Sequence, residues 1–162
     1  MARALPRVRR TRRGDYRLKL EPQEREVFRH LVEELRELLG AEDPVLERLF
    51  PPGYADDPEL AEQYRELVHS DLTAQRLAAL QVVESTIEAD ALDDDQMGAW
   101  LTVLNDLRLV LGTRLDVTEE MGEEGLPPDD PRAAAFEIYR FLTWLEWQVV
   151  EVLAEALPED EG

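Results

Sequence analysis

The polar groups with most capacity for chemistry lie in the middle of the chain. Asn105, Asp106 and Arg108, followed by Thr113, Arg114 and Asp116, set an amide, carboxylates and guanidiniums inside its most apolar stretch. Such groups need partners when they are buried. Arg76, on an inward-leaning face after Leu72, is a candidate partner for Asp106 or Asp116. Two uses are open to this set. One is a structural network of hydrogen bonds and ion pairs among Arg76, Asn105, Asp106, Arg108, Arg114 and Asp116. The other is a pocket in which Asp106, Arg108, Arg114 and Asp116 bind a small molecule or act on a substrate.

The remaining sources of catalysis are thin. A catalytic site needs a nucleophile, base or metal within reach of an orienting partner. The two histidines, His30 and His69, fall on different helices, beside the apolar stripes rather than within them. Ser70 and Ser85 stand outside any Gly-x-Ser-x-Gly turn. The eight glycines are scattered and form no phosphate loop. With no cysteine, there is no thiol nucleophile, thiolate metal site or disulfide. Asp93-Asp94-Asp95 offers the hard oxygen ligands that Mg²⁺ and Ca²⁺ take, but not the alternating spacing and central glycine of a calcium loop. It reads as a helix start. Glu119-Glu120 and Glu123-Glu124 read as a solvated loop, and the Glu-x-x-His motif of a di-metal bundle does not occur. The expectation is a protein that is not an enzyme and holds no metal or cofactor.

Charge divides the chain. Eight of the 18 basic residues and one of the 37 acidic ones lie in residues 1–19, a formal charge of +7 that leaves −26 on the rest. Lys19 is the one lysine, so nearly every cationic contact is a planar, forked guanidinium. Arg7, Arg9, Arg10, Arg12 and Arg13 form a candidate contact for nucleic acid or another acidic partner, because neutralising phosphates releases counterions. Tyr16 is the single aromatic in this segment, which is thin for base stacking. The competing reading is intramolecular: an arm of this charge tethered to an acidic body tends to lie on it. A second candidate surface is Phe141 with Trp144, an aromatic pair on the polar side of the last helix, as interfaces favour. Together these point to a protein partner, with DNA as the alternative and self-association left open. No apolar run approaches the ~20 residues that cross a bilayer, and no apolar stretch follows the basic start as in a secretory signal. Cytoplasmic residence is the expectation.

The elements that must carry these groups are mainly α-helical. Residues 1–21 form a basic segment in which Tyr16-Arg-Leu-Lys-Leu20 alternates with period two after an Arg13-Gly14-Asp15 turn signal; a β-hairpin and a flexible arm are both open. Pro22 suits a first helical position, Val27 to Leu39 follow at helical spacing, and Gly40 is a stop signal. Pro44–Phe50 reads as one short helical turn before the Pro51-Pro52-Gly53 loop. Asp57-Pro58 opens a helix or helix pair running to about residue 89. The Asp93–Asp95 helix is weakened at Gly112, with Thr113–Val117 a possible extended piece. The last helix, from Asp130-Pro131 to about Leu157, is apolar most of the way round, which marks a central helix. Its expected stripe includes Trp147, with Gln148 on the polar side. The architecture is a single-domain bundle of four to six helices over 22–157, preceded by the 1–21 segment and followed by an acidic tail at 158–162.

The stretch from Ala99 through Trp100-Leu-Thr-Val-Leu-Asn-Asp-Leu-Arg-Leu-Val-Leu-Gly-Thr-Arg-Leu-Asp-Val-Thr-Glu-Glu120 resembles the signature of an actinobacterial family named for the oxidative-stress regulator AosR. Leu49-Phe50-Pro51 with Tyr54, Asp57-Pro58, Asp71-Leu72 and Tyr139 to Leu145 are similar to it too, so the resemblance covers nearly the whole chain. It implies a role in transcriptional responses to oxidants, together with an alternative sigma factor and genes of cysteine biosynthesis. Redox sensing in such a regulator is expected to run through a cysteine pair, since thiol oxidation is reversible. This chain has no cysteine and three methionines, so a disulfide switch is excluded for it.

Overall fold

The computed structural model describes residues 6–41, 58–116 and 126–156, with the backbone alone at 58–61 and 64–69. Two short strands, β1 (Val8–Arg10) and β2 (Tyr16–Leu18), precede four helices: α1 (Pro22–Ala41), α2 (Pro58–Thr86), α3 (Asp94–Leu115) and α4 (Ala133–Glu155). The chain is mainly α, with a small N-terminal hairpin. The short turn expected at Pro44–Phe50, most of the acidic loop after residue 117 and the tail lie outside the described residues.

The strands pair antiparallel with Val8 opposite Leu18, Arg9 opposite Arg17 and Arg10 opposite Tyr16. The turn closes through Thr11 N–H to Asp15 O (2.8 Å) and Gly14 N–H to Thr11 O (3.1 Å). Gly14 sits at φ +91°, a conformation that costs a residue without Cβ little. On its outer edge, β2 exchanges two 2.8 Å hydrogen bonds between Tyr16 and Leu92. The period-two alternation then decides what is buried. Val8, Tyr16, Leu18 and Leu20 enter the same hydrophobic core as the helices, and Arg9, Arg17 and Lys19 face out. Of the two readings open for this segment, the hairpin forms.

In α1, Phe28, Val32, Leu35 and Leu39 are buried at helical spacing, and Glu24 reaches back to the Glu21 N–H at 2.7 Å. Gly40 does not end the helix, which runs one residue further. α2 is one helix, unbroken at Ser70. Asp93 caps α3 in a reciprocal box: its carboxylate accepts from Gln96 N–H, and the Gln96 side chain accepts from Asp93 N–H. The acidic run is thus used as a helix start.

Gly112 does not weaken α3 to a break, and Thr113 to Leu115 remain helical. Thr113 Oγ1 donates to Leu109 O within the helix. Gly112 serves packing, since a Cβ there would lie 3.2 Å from Tyr139 Cε2 on α4. The helix ends at Asp116, left-handed at φ 51°. α4 starts at Ala133, a little later than Pro131 suggests, after a turn in which Asp130 accepts from Arg132 N–H.

The expected central helix was the last one, but the position belongs to α3. It packs against α1, α2 and α4, and buries Met97, Trp100, Val103, Leu104, Leu107 and Val110. Trp100 is fully buried, edge-on to Phe28 at 5.3 Å, and donates from Nε1 to Thr86 Oγ1 at 2.8 Å. α4 buries only part of its apolar circumference, leaving Trp147 and Val150 in solvent. No helix among the described residues is long and apolar enough to cross a membrane.

Candidate functional site

The polar set of α3 is spread over three helix contacts rather than gathered into one pocket. Residues 106, 108 and 114 point in different directions from a helix with 3.6 residues per turn. Asp106, 2% exposed, meets Arg76 of α2 at 3.2 Å. Arg108 meets Glu146 of α4 at 2.6 Å, with its guanidinium 5.8 Å from the Tyr139 ring centre. Arg114 meets Glu34 of α1 at 2.8 Å. Each pair ties α3 to a different neighbour. Asn105 is exposed and Asp116 is the exposed helix cap, so neither is a buried member of the network.

The electrostatics follow from burial. Desolvation pushes the Asp106 carboxyl up to about 6 against the opposing pull of Arg76. Burial works against the Arg108 charge, yet hydrogen bonds to Glu146 and Tyr139 raise its pKa overall. Burial, reinforced by Asp94, also pushes the Tyr16 phenol up. These groups hold structure, and α3 brings no second carboxylate to Asp106 with which to share a proton. A cleft between α1 and α3, lined by Leu31, Leu35, Leu38, Leu107, Val110 and Leu111 together with the paired Glu34 and Arg114, is open and mostly apolar. Its two charged groups pair with each other, and no further polar side chain lines it to orient a substrate.

On α4 the aromatics differ from expectation. Phe141 is half-buried and tilts against Phe28 at 6.2 Å; Trp144 is half-buried beside Phe141 at 6.1 Å. Trp147 opens to solvent, 59% exposed, with Val150 at 47% one turn on. The rotation has a cause. Gln148, expected on the polar side, is 7% exposed because its Oε1 accepts the Arg7 and Val8 N–H groups at 2.7 and 3.3 Å. Val8 opens β1 and Arg7 precedes it, and Gln148 of α4 faces both donors. Its neighbour Trp147 is carried outward. Replacing Gln148 with leucine leaves two backbone donors unsatisfied at a cost of about 1–3 kcal/mol. Hydrogen exchange at the Arg7 and Val8 amides is expected to accelerate by tenfold or more.

The arginine-rich segment lies on the body, held by its apolar side and backbone as well as by charge. Arg7 does bind the body, through Glu24 at 3.0 Å and Glu21 at 3.8 Å. Arg9, Arg10, Arg12, Arg13, Arg17 and Lys19 are all exposed. The hairpin is held by its apolar side, its backbone and the Arg7 ion pairs, and its other cationic side chains are exposed.

The described residues form a small helical bundle with an N-terminal hairpin and two exposed patches, one cationic on the hairpin and one apolar on α4. The chain belongs to the DUF2017 family, a domain of unknown function, whose profile matches residues 3–153. It is 32% identical to the oxidative stress regulator AosR of Mycobacterium tuberculosis strain H37Rv, over 75% of this chain and 66% of that protein. The regulator of the same name from Mycobacterium bovis matches equally, and a putative one from Mycobacterium leprae is 31% identical over 69% of this chain and 59% of its own length. The chain thus spans about two-thirds of the regulators it matches. No solved structure matches it.

Proposed function

We propose that this chain is a non-enzymatic regulator of an oxidative-stress response that works in the cytoplasm by binding a protein partner at the outward face of α4. The observation that carries this reading is the exposure of Trp147 and Val150 on a helix whose other large apolar side chains are buried or half-buried. Tryptophan is enriched where binding energy concentrates, and half-buried Trp144 extends the patch towards Phe141. The names of the relatives supply the biological setting. The partner this reading favours belongs to the transcription machinery, an alternative sigma factor first. With no cysteine in these residues, the oxidant signal reaches the protein through that partner rather than through a disulfide of its own.

Titration of the purified chain against alternative sigma factors of its own genome is the test. Binding is expected, and Trp147→Ala should weaken it about 30-fold, as a hot spot worth about 2 kcal/mol does. A chain that binds none of them and remains monomeric would sink the reading. Affinity indifferent to Trp147 and Val150 would move the interface elsewhere.

A further inference from the structure

We propose that the outward face of the β1–β2 hairpin binds the phosphate backbone of duplex DNA, with the ribbon seated in the major groove. Three observations meet here. First, Arg9, Arg12, Arg13, Arg17 and Lys19 are exposed and have no ion-pair partner among the described residues, although the chain as a whole carries −19. Arg7 shows that acids within reach are used when available. Second, Arg9 stands directly opposite Arg17 across the ladder. Like charges in that position oppose pairing, and an anion lying over both would reverse the effect. Third, the support is a two-stranded antiparallel ribbon, a shape that the major groove of B-DNA admits.

Chemistry selects the occupant. Three-residue strands span only about 10 Å, so the face presents several guanidiniums in a length where duplex DNA offers about six phosphates. The forked guanidinium matches phosphate oxygens bidentately. Single strands are disfavoured because the one aromatic ring of the hairpin, Tyr16, is fully buried and provides no stacking platform. The acidic body does not forbid the contact, since charges more than about 8 Å away are largely screened at physiological salt.

The experiment measures fluorescence anisotropy of a short labelled DNA duplex titrated with the full chain. Four neutralised phosphates predict a fall in affinity on the order of 100-fold between about 50 and 200 mM salt. Arg12→Ala/Arg13→Ala/Arg17→Ala should flatten that salt dependence and lower affinity at the lower salt. Arg9→Glu adds a discriminating readout: it converts a like-charge pair into an opposite one, so it should raise Tm while weakening DNA binding. Trp147→Ala should leave DNA affinity unchanged, which separates this proposal from the protein-partner reading. No binding at the lower salt, unaltered affinity in the arginine variants, preference for polyglutamate, or equal affinity for an RNA duplex, whose major groove is too narrow for a ribbon, would each overturn it.

Discussion

Replacing Arg76 with alanine is expected to destabilise the protein by about 3–5 kcal/mol at pH 7.5, as removing one partner of a buried ion pair does. The carboxylate left behind, Asp106, is 2% exposed and lies on the central helix. Its charge is already unfavourable with Arg76 present, because burial raises its pKa from 3.8 to about 6. A carboxyl whose folded pKa is raised binds its proton more tightly in the folded state than in the unfolded one. Its protonation therefore supports folding below about pH 4, and that support is lost as pH rises from about 4 to 6. A shift of this size corresponds to about 3 kcal/mol.

Loss of Arg76 removes the one influence pulling that pKa down, so the window moves upward. The Arg76→Ala variant should consequently recover much of its lost stability at pH 5, where Asp106 takes up a proton. Urea midpoints of wild type and variant at the two pH values check this. A deficit equal at both would mean that Arg76 contributes packing rather than charge. Asp106→Asn should flatten the wild-type dependence between pH 4 and 6.

The residues that anchor the fold were legible where their cause is local. Pro22, Pro58 and Asp93 mark helix starts because capping and proline geometry act within a turn, and Tyr16 to Leu20 show their buried side by alternation alone. Arg76 opposite Asp106 could be anticipated because a carboxylate in so apolar a run must find a cation. The face of α4 could not. When a helix is apolar most of the way round, periodicity does not say which side is covered. The deciding contact is Gln148 with the β1 backbone, about 140 residues earlier in the chain. That contact goes with Gln148 turned in and its neighbour Trp147 turned out. The same apolar excess made α4 look central, whereas the central role falls to α3, whose acids and arginines each find a different helix. Thr113 to Leu115 stay helical, and Gly112 within that helix leaves room for Tyr139 from α4, a tertiary contact.

The second large effect concerns Trp100, where three elements converge. Its ring is fully buried against Phe28 of α1, and its Nε1 donates to Thr86 at the end of α2. Thr86 Oγ1 also donates to Val82 O at 2.7 Å, so the hydroxyl is oriented to accept from the indole. Trp100→Ala is expected to cost about 3–5 kcal/mol through lost burial and the cavity left behind. Trp100→Phe separates the contributions. It keeps most of the ring packing but deprives Thr86 of its donor, and should cost about 1–2 kcal/mol including imperfect fit. Thr86→Val leaves the indole N–H unsatisfied in the core, and that buried donor should cost about 1–3 kcal/mol. Combining Trp100→Phe with Thr86→Val removes both polar partners, so the double variant should be more stable than the sum of the single losses implies. A cycle of denaturant midpoints measures that coupling, and a value near zero would show that the Trp100–Thr86 hydrogen bond adds nothing to the packing of α1, α2 and α3.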